Sequence, residues 1–388
     1  MRIYLDYNAT AKPASGVAEA VAHALAEAFG NASSVHAYGQ QAKAIVDDAR
    51  GDVAALIGAS PAEIVFTSGG TESDNAAIRG AAEALAPAGR RHLITTAIEH
   101  EAVLQTMRAM ARAGWRLTVL PVDASGVVDP AALAGAISAE TALVSVMHAN
   151  NEVGTIQPVA ELAAIARAHG ALVHTDAVQS AGKIPVSVAA LGVDLLSVSG
   201  HKFGAPKGVG ALWIRRGVRL VPFMTGGRQE RNRRAGTENV PAIAGLGVAA
   251  RRARTVVEAG TATMAALRDR LEHGILAAVP DAAVNGRADA RVPNTTNISF
   301  DGVEAESLLI ALDLEGIAVS TGSACSSGTL EASHVLSAMG LPAPRTRNSL
   351  RFSLGPGTTA DEIDAVLAAL PRLVARLRSL GRTAAALR

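Results

Sequence analysis

Between residues 64 and 214 the chain alternates short apolar runs with longer stretches of helical periodicity. Residues 64–67, 92–96, 116–122, 141–147, 172–176, 195–198 and 211–214 read as strands. Helical patterns open at 68–75 and at 98–103, and fill 130–137 and 159–169. Strands and helices in this cadence predict an α/β chain: a mostly parallel sheet covered by helices on both faces. Two helices are expected ahead of the first of these strands, at 17–29 and 40–57, and mainly helical chain at 241–279. A smaller α/β unit should follow, with strands at 296–300, 317–320 and 348–354 and helices at 304–314 and 359–380. The expected division is a large unit, 16–255, and a small one made of 1–15 with 256–388.

Polar residues gather where the strands end. The strand 172–176 closes on Asp176, with Gln179 three residues on. The strand 195–198 runs into Ser199-Gly200-His201-Lys202 and a glycine-rich turn. A lysine there is placed to meet a ligand, although a plain surface-loop lysine explains that stretch alone equally well. A strand-end Asp and a strand-end Lys, 26 residues apart, suit pyridoxal phosphate. The amine can form a Schiff base, and the carboxylate can keep the pyridine nitrogen protonated so that the ring acts as an electron sink. Ser68-Gly69-Gly70-Thr71 forms a small-residue turn opening a helix, where free N–H groups and the helix dipole favour a phosphate. In open parallel sheets, ligands collect at the carboxyl ends of strands. Thr71, His100, Asn151, Asp176 and Lys202 all fall there in this reading.

HTDAVQSAGK and SVSGHKFGAPKGVG resemble the cofactor site of the class V aminotransferase group, and within it the NifS/IscS-type cysteine desulfurases. The resemblance runs from YLDYNAT to the C-terminal helix, with Ala32 where the family usually has proline. It implies a pyridoxal phosphate enzyme of fold type I. It gives Gly70, Thr71, Ser199 and His201 to the phosphate, and Gln179 and Asn151 to the phenolic oxygen. His100, in EHEAV, would stack on the ring and shuttle protons. Asn151 and Arg351 would hold the substrate carboxylate. Asn8 either faces the substrate or simply forms a turn.

Cys325 lies in GSACSSG, followed by SHVL, which resembles the longer-loop group. Small residues surround it, so the loop lacks the apolar neighbours that burial of an inert thiol would require. The resemblance makes Cys325 the residue that takes sulfur from L-cysteine, leaving L-alanine, and carries it as a persulfide to an acceptor such as an iron–sulfur scaffold. It leaves room for transient iron–sulfur ligation by Cys325; no resident metal is expected. Thr237, three residues past a stretch with seven arginines between 215 and 234, would complete the phosphate site of a partner subunit in a homodimer. A selenocysteine lyase, or another class V enzyme, is the alternative.

Composition limits other classes. With 36 basic and 35 acidic residues the net charge is +1, and aromatics are 3%, so neither phosphate attraction nor base stacking points to nucleic acid. A single cysteine excludes a disulfide within the chain. No apolar run approaches the roughly 20 residues that a membrane span takes, and MRIYLDYNAT has no signal pattern, so cytoplasm is the default expectation.

Overall fold

The computed structural model describes residues 2–322 and 332–386; Cys325 lies outside the described residues. After β1 (Ile3–Tyr4), seven strands form the main sheet: β2 (Ile64–Thr67), β3 (His92–Thr96), β4 (Arg116–Leu120), β5 (Thr141–Ser145), β6 (Leu172–Asp176), β7 (Leu195–Ser199) and β8 (Gly210–Ile214). Their order is β2-β8-β7-β6-β5-β3-β4. Every pairing from β7 across to β4 is parallel, and β8 alone runs antiparallel to both its neighbours.

Strand residues alternate between two cores, as a pleat of period two requires. Ile64, Phe66, Ile94, Val144 and Leu196 face helices Ala37–Leu56, Val159–Ala168 and Val240–Ala259. Val65, Leu93, Leu143 and Leu195 face helices Gly70–Leu85 and Glu101–Arg112. Each such side chain, fully buried, is worth about 1.5–3 kcal/mol of transfer free energy. That double burial explains why these strands read as continuous apolar runs. The edge strand β4 is the exception: its first four residues are exposed or half-buried.

A second assembly uses β9 (Ala282–Asn285), β10 (Thr295–Phe300), β11 (Ile317–Ala318) and β12 (Ser349–Ser353). β12, β10 and β9 form an antiparallel sheet, and β1 pairs in parallel with β11. Ile3 and Leu5 join the core of Ile298, Phe300, Leu350, Phe352 and helix Ala360–Ala386. Residues 3–8 therefore lie against strands that close more than 300 residues later. Among the described residues no helix is long and apolar enough to cross a membrane.

Two local differences from the sequence reading have clear causes. The second helix begins at Ala37, not at 40, because the His36 Nδ1 accepts the Gly39 N–H at 3.3 Å and caps it. Between β8 and helix Val240–Ala259, Glu230, Arg231 and Asn232 take φ of 45°, 57° and 63°. Three consecutive non-glycine residues in the left-handed region need an outside hold. Glu230 supplies it: its buried carboxylate forms a two-point pair with Arg50 at 2.7 Å and accepts the Phe66 N–H.

Candidate active site

The site is built where β6 and β7 end and where helices Gly70–Leu85 and Glu101–Arg112 begin. Lys202 sits in the turn after β7. Its Nζ donates to the carbonyls of Asn8 at 2.7 Å and Ala9 at 2.9 Å, with no carboxylate paired to it among the described residues. Burial first, then the charge of Arg351, bring this amine down to about 8. Asp176 ends β6, 4% exposed, with Oδ1 accepting the Val178 N–H at 2.8 Å. Burial raises its pKa, while His100, that N–H and Lys202 pull the other way. Amine, carboxyl and imidazole are thus close enough to set one another's protonation.

His100 caps helix Glu101–Arg112: its Nδ1 accepts the Ala102 N–H at 3.1 Å. Capping therefore puts the proton of the neutral ring on Nε2. Burial lowers its pKa, Asp176 opposing and Lys202 reinforcing the shift. His100 and Thr71 line one open concavity, from which solvent reaches part of the His100 ring while the surrounding protein desolvates the rest.

The first-turn N–H groups of helix Gly70–Leu85 have no partner inside the helix. A Cβ on Gly70 would meet Val178 Cγ2 at 2.9 Å and Ser199 Cβ at 3.4 Å, so only glycine allows the turn to approach the ends of β6 and β7 this closely. His201 Nδ1 bonds Thr10 Oγ1 at 3.2 Å, and burial holds that ring neutral, down to about 4.

Other expected residues are already engaged. Gln179 donates to the Asn8 carbonyl at 3.0 Å and accepts from Lys183 Nζ. Asn151 offers its carbonyl to Asn8 Nδ2 and to Arg351 Nη1. Arg351, 4% exposed on β12, pairs with Asp6 at 2.7 Å, and its Nε has no partner among the described residues. Asn8 does not face an open cavity. It is 1% exposed and bonds Thr295, Asn294, Lys183 and Asn151 through its side chain. Thr237 is exposed and makes no bond to these groups among the described residues. Three residues before it, Arg234 pairs with Glu72 in the first turn of helix Gly70–Leu85.

The sequence reading gave no role to several residues that the structure brings in. Asp6 and Lys183 stand inside stretches already singled out, YLDYNAT and HTDAVQSAGK. Asp74 and Glu99 are buried carboxyls whose pKa burial raises, Glu99 to about 8. Glu152 accepts from Ser333 Oγ, and a Cβ on Gly322 would stand 3.1 Å from its Oε2. Residues on both sides of the Cys325 segment thus rest against one carboxyl.

These residues suit pyridoxal phosphate. The Asp176 carboxyl is buried with a single N–H donor and raised in pKa, so a protonated ring nitrogen is the partner that would ionise it. Among the described residues the Lys202 amine pairs with no carboxylate, and the Gly70 turn offers N–H groups to a phosphate.

The comparisons agree with that geometry. The aminotransferase class-V model matches residues 3–366. A cysteine desulfurase of Nostoc sp. is 50% identical over 378 residues, covering 97% of this chain and 94% of its own. A cysteine desulfurase IscS of Dictyoglomus turgidum is 48% identical, with 97% and 96% covered. A solved NifS-like protein superposes with a TM-score of 0.91 at 39% identity, covering 97% of this chain and 100% of its own. With the matching sheet, helices on both faces and near-complete coverage, this chain belongs to the class V aminotransferase family, in its NifS/IscS-type cysteine desulfurase branch.

Proposed function

We propose that the chain is a pyridoxal phosphate-dependent cysteine desulfurase that converts L-cysteine to L-alanine and passes the sulfur, through Cys325, to an acceptor protein such as an iron–sulfur scaffold. The observation that supports it most is the meeting of a depressed lysine amine, a buried strand-end carboxyl and a buried arginine around the Asn8 segment. We assign residues 16–255 to the cofactor-binding unit, and 1–15 with 256–388 to the small unit that carries Cys325.

When bound, pyridoxal phosphate supplies a carbonyl that condenses with amines and a ring that accepts the electron pair left at Cα. Lys202, near pH 8, is partly neutral at neutral pH, so it can bond carbon and, once free, take the α-proton. Asp176 would hold a proton on the ring nitrogen. Gly70, Thr71, Ser199 and His201 would take the phosphate, with Thr237 from a second copy, and Gln179 and Asn151 would take the phenolic oxygen. Arg351 turns from Asp6 toward the substrate carboxylate, which Asn151 also orients. His100, with its proton on Nε2, moves protons between the substrate sulfur and the Cys325 thiol. The Cys325 thiolate then bonds the substrate sulfur. The Cβ–S bond breaks with its electron pair on Cβ, Cβ takes a proton, Lys202 returns the α-proton to Cα, and L-alanine leaves a persulfide on Cys325.

Alanine released from L-cysteine, with a reductant present, tests this in wild type and C325A side by side. The expected result is turnover in wild type and near-total loss in C325A. Equal alanine from both would remove Cys325 from the sulfur step and favour a lyase that does not need the thiol. No alanine from the cofactor-loaded wild type would remove the substrate.

A further inference from the structure

Lys183 is 6% exposed, on the turn that follows β6. Its Nζ donates to two neutral amide oxygens, Asn8 Oδ1 at 2.8 Å and Gln179 Oε1, and no carboxylate pairs with it among the described residues. The charged groups that bear on it are both cations: Lys202, from the turn after β7, and Arg351, from β12. Asp6 is paired with Arg351, and neither it nor Asp176 bonds the Lys183 amine among the described residues. A buried ammonium in that company would stand beside two like charges with no counter-ion.

One of the two residues it holds, Asn8, also receives Lys202, and the other, Gln179, bonds that same Asn8 carbonyl. Gln179 Nε2 donates to the Asn8 carbonyl at 3.0 Å, and Lys202 Nζ donates to the same carbonyl at 2.7 Å. Lys183, Gln179 and Asn8 therefore close a ring of hydrogen bonds whose open edge receives the reactive amine.

We propose that Lys183 is a positioning residue that works as a neutral amine: it fixes Asn8 and Gln179 by donated hydrogen bonds and leaves the positive charge of the site to Lys202 and Arg351. Burial, then Lys202 and Arg351, push its pKa well below the usual lysine range, in keeping with that role. The inference rests on the assignment of Lys202 to the cofactor.

The test is the pH titration of the bound cofactor's absorbance, which reports protonation of the Lys202 nitrogen, in holoenzyme of wild type, K183Q and K183R. K183Q keeps a neutral donor and should titrate with wild type. K183R adds a permanent cation and should lower the midpoint by about one pH unit. The reverse pattern, K183R matching wild type and K183Q moving upward, would mean that Lys183 is charged and overturns the proposal. A K183R midpoint equal to both others would mean that Lys202 does not feel this position, and overturns it too. If K183R does not fold, K183Q decides alone: an unmoved midpoint supports the neutral donor and a raised one removes it. A wild-type absorbance that does not titrate would remove the proposal alone, and one that persists unchanged in K202A would remove the assignment of Lys202 to the cofactor and the proposal with it.

Discussion

Arg351 illustrates how a residue can be prepared for a substrate. A buried guanidinium needs an anion, and in the free chain Asp6 provides it from 345 residues away. Its fork is only partly used: Nη1 bonds a carbonyl and Nε has no partner among the described residues. A carboxylate arriving with two oxygens would complete the set. R351K keeps the charge and loses the fork, so the KM for L-cysteine should rise about 10–100-fold, the equivalent of roughly 1.5–3 kcal/mol, with kcat less affected. Steady-state kinetics check this, and an unchanged KM would detach Arg351 from the substrate. The sequence showed that an arginine among apolar neighbours needs a partner, but not which one. Asp6 is distant in sequence, and nothing local marks the pair. Asn8 was legible only as a polar turn residue for the same reason: its bonds to Thr295 and Ser353 appear only when the chain is folded.

At the scale of elements, the strands were the legible part. β3 and β6 begin and end where their apolar runs do, because both faces are covered. The turn at Glu230–Asn232 was not legible, since none of its residues is glycine. It persists because Glu230 is buried against Arg50, Phe66 N–H and the end of β2. The left-handed conformation costs about 1–2 kcal/mol per residue, so the ion pair must outweigh it. E230A would strand a buried guanidinium and release the turn. It should destabilise the chain by about 3–5 kcal/mol, read as a fall in the urea midpoint, with E230Q intermediate. A midpoint within error of wild type would mean that the turn is held by something else.

Across the whole molecule, buried titrating groups set opposite slopes of stability with pH. Burial holds His92 and His148 down at about 4 and His174 at about 3. Both His92 and His174 bridge to hydroxyls on the two strands beside their own, His92 to Thr118 and Thr141, His174 to Ser145 and Ser197. Below about pH 6.5 the unfolded chain binds more protons than the folded one, so these three histidines lose stability as pH falls toward 4. Glu99 acts the other way. Burial raises it to about 8 from 4.5, so the folded chain binds the extra proton and stability falls as pH rises through that window. Loss of the histidine contribution should therefore lower the urea midpoint of the cofactor-free chain as pH falls from about 6.5 toward 4. E99Q should remove the Glu99 share of the fall between about pH 4.5 and 8, and so steepen the loss of stability below about pH 6.5; an unaltered slope between about pH 6.5 and 8 would mean that Glu99 does not hold its proton in the folded chain. The bonds of Asn8 to Thr295 and Ser353 have a further consequence, in time. The carbonyl that receives Lys202 is made 287 residues ahead of one anchor, Thr295, and 345 ahead of the other, Ser353. At ribosomal speeds of about 5–20 residues per second, roughly 15–70 s separate them. A nascent chain can thus complete its central sheet while the lysine site stays open, and the cofactor has no finished seat until residue 353 has left the ribosome.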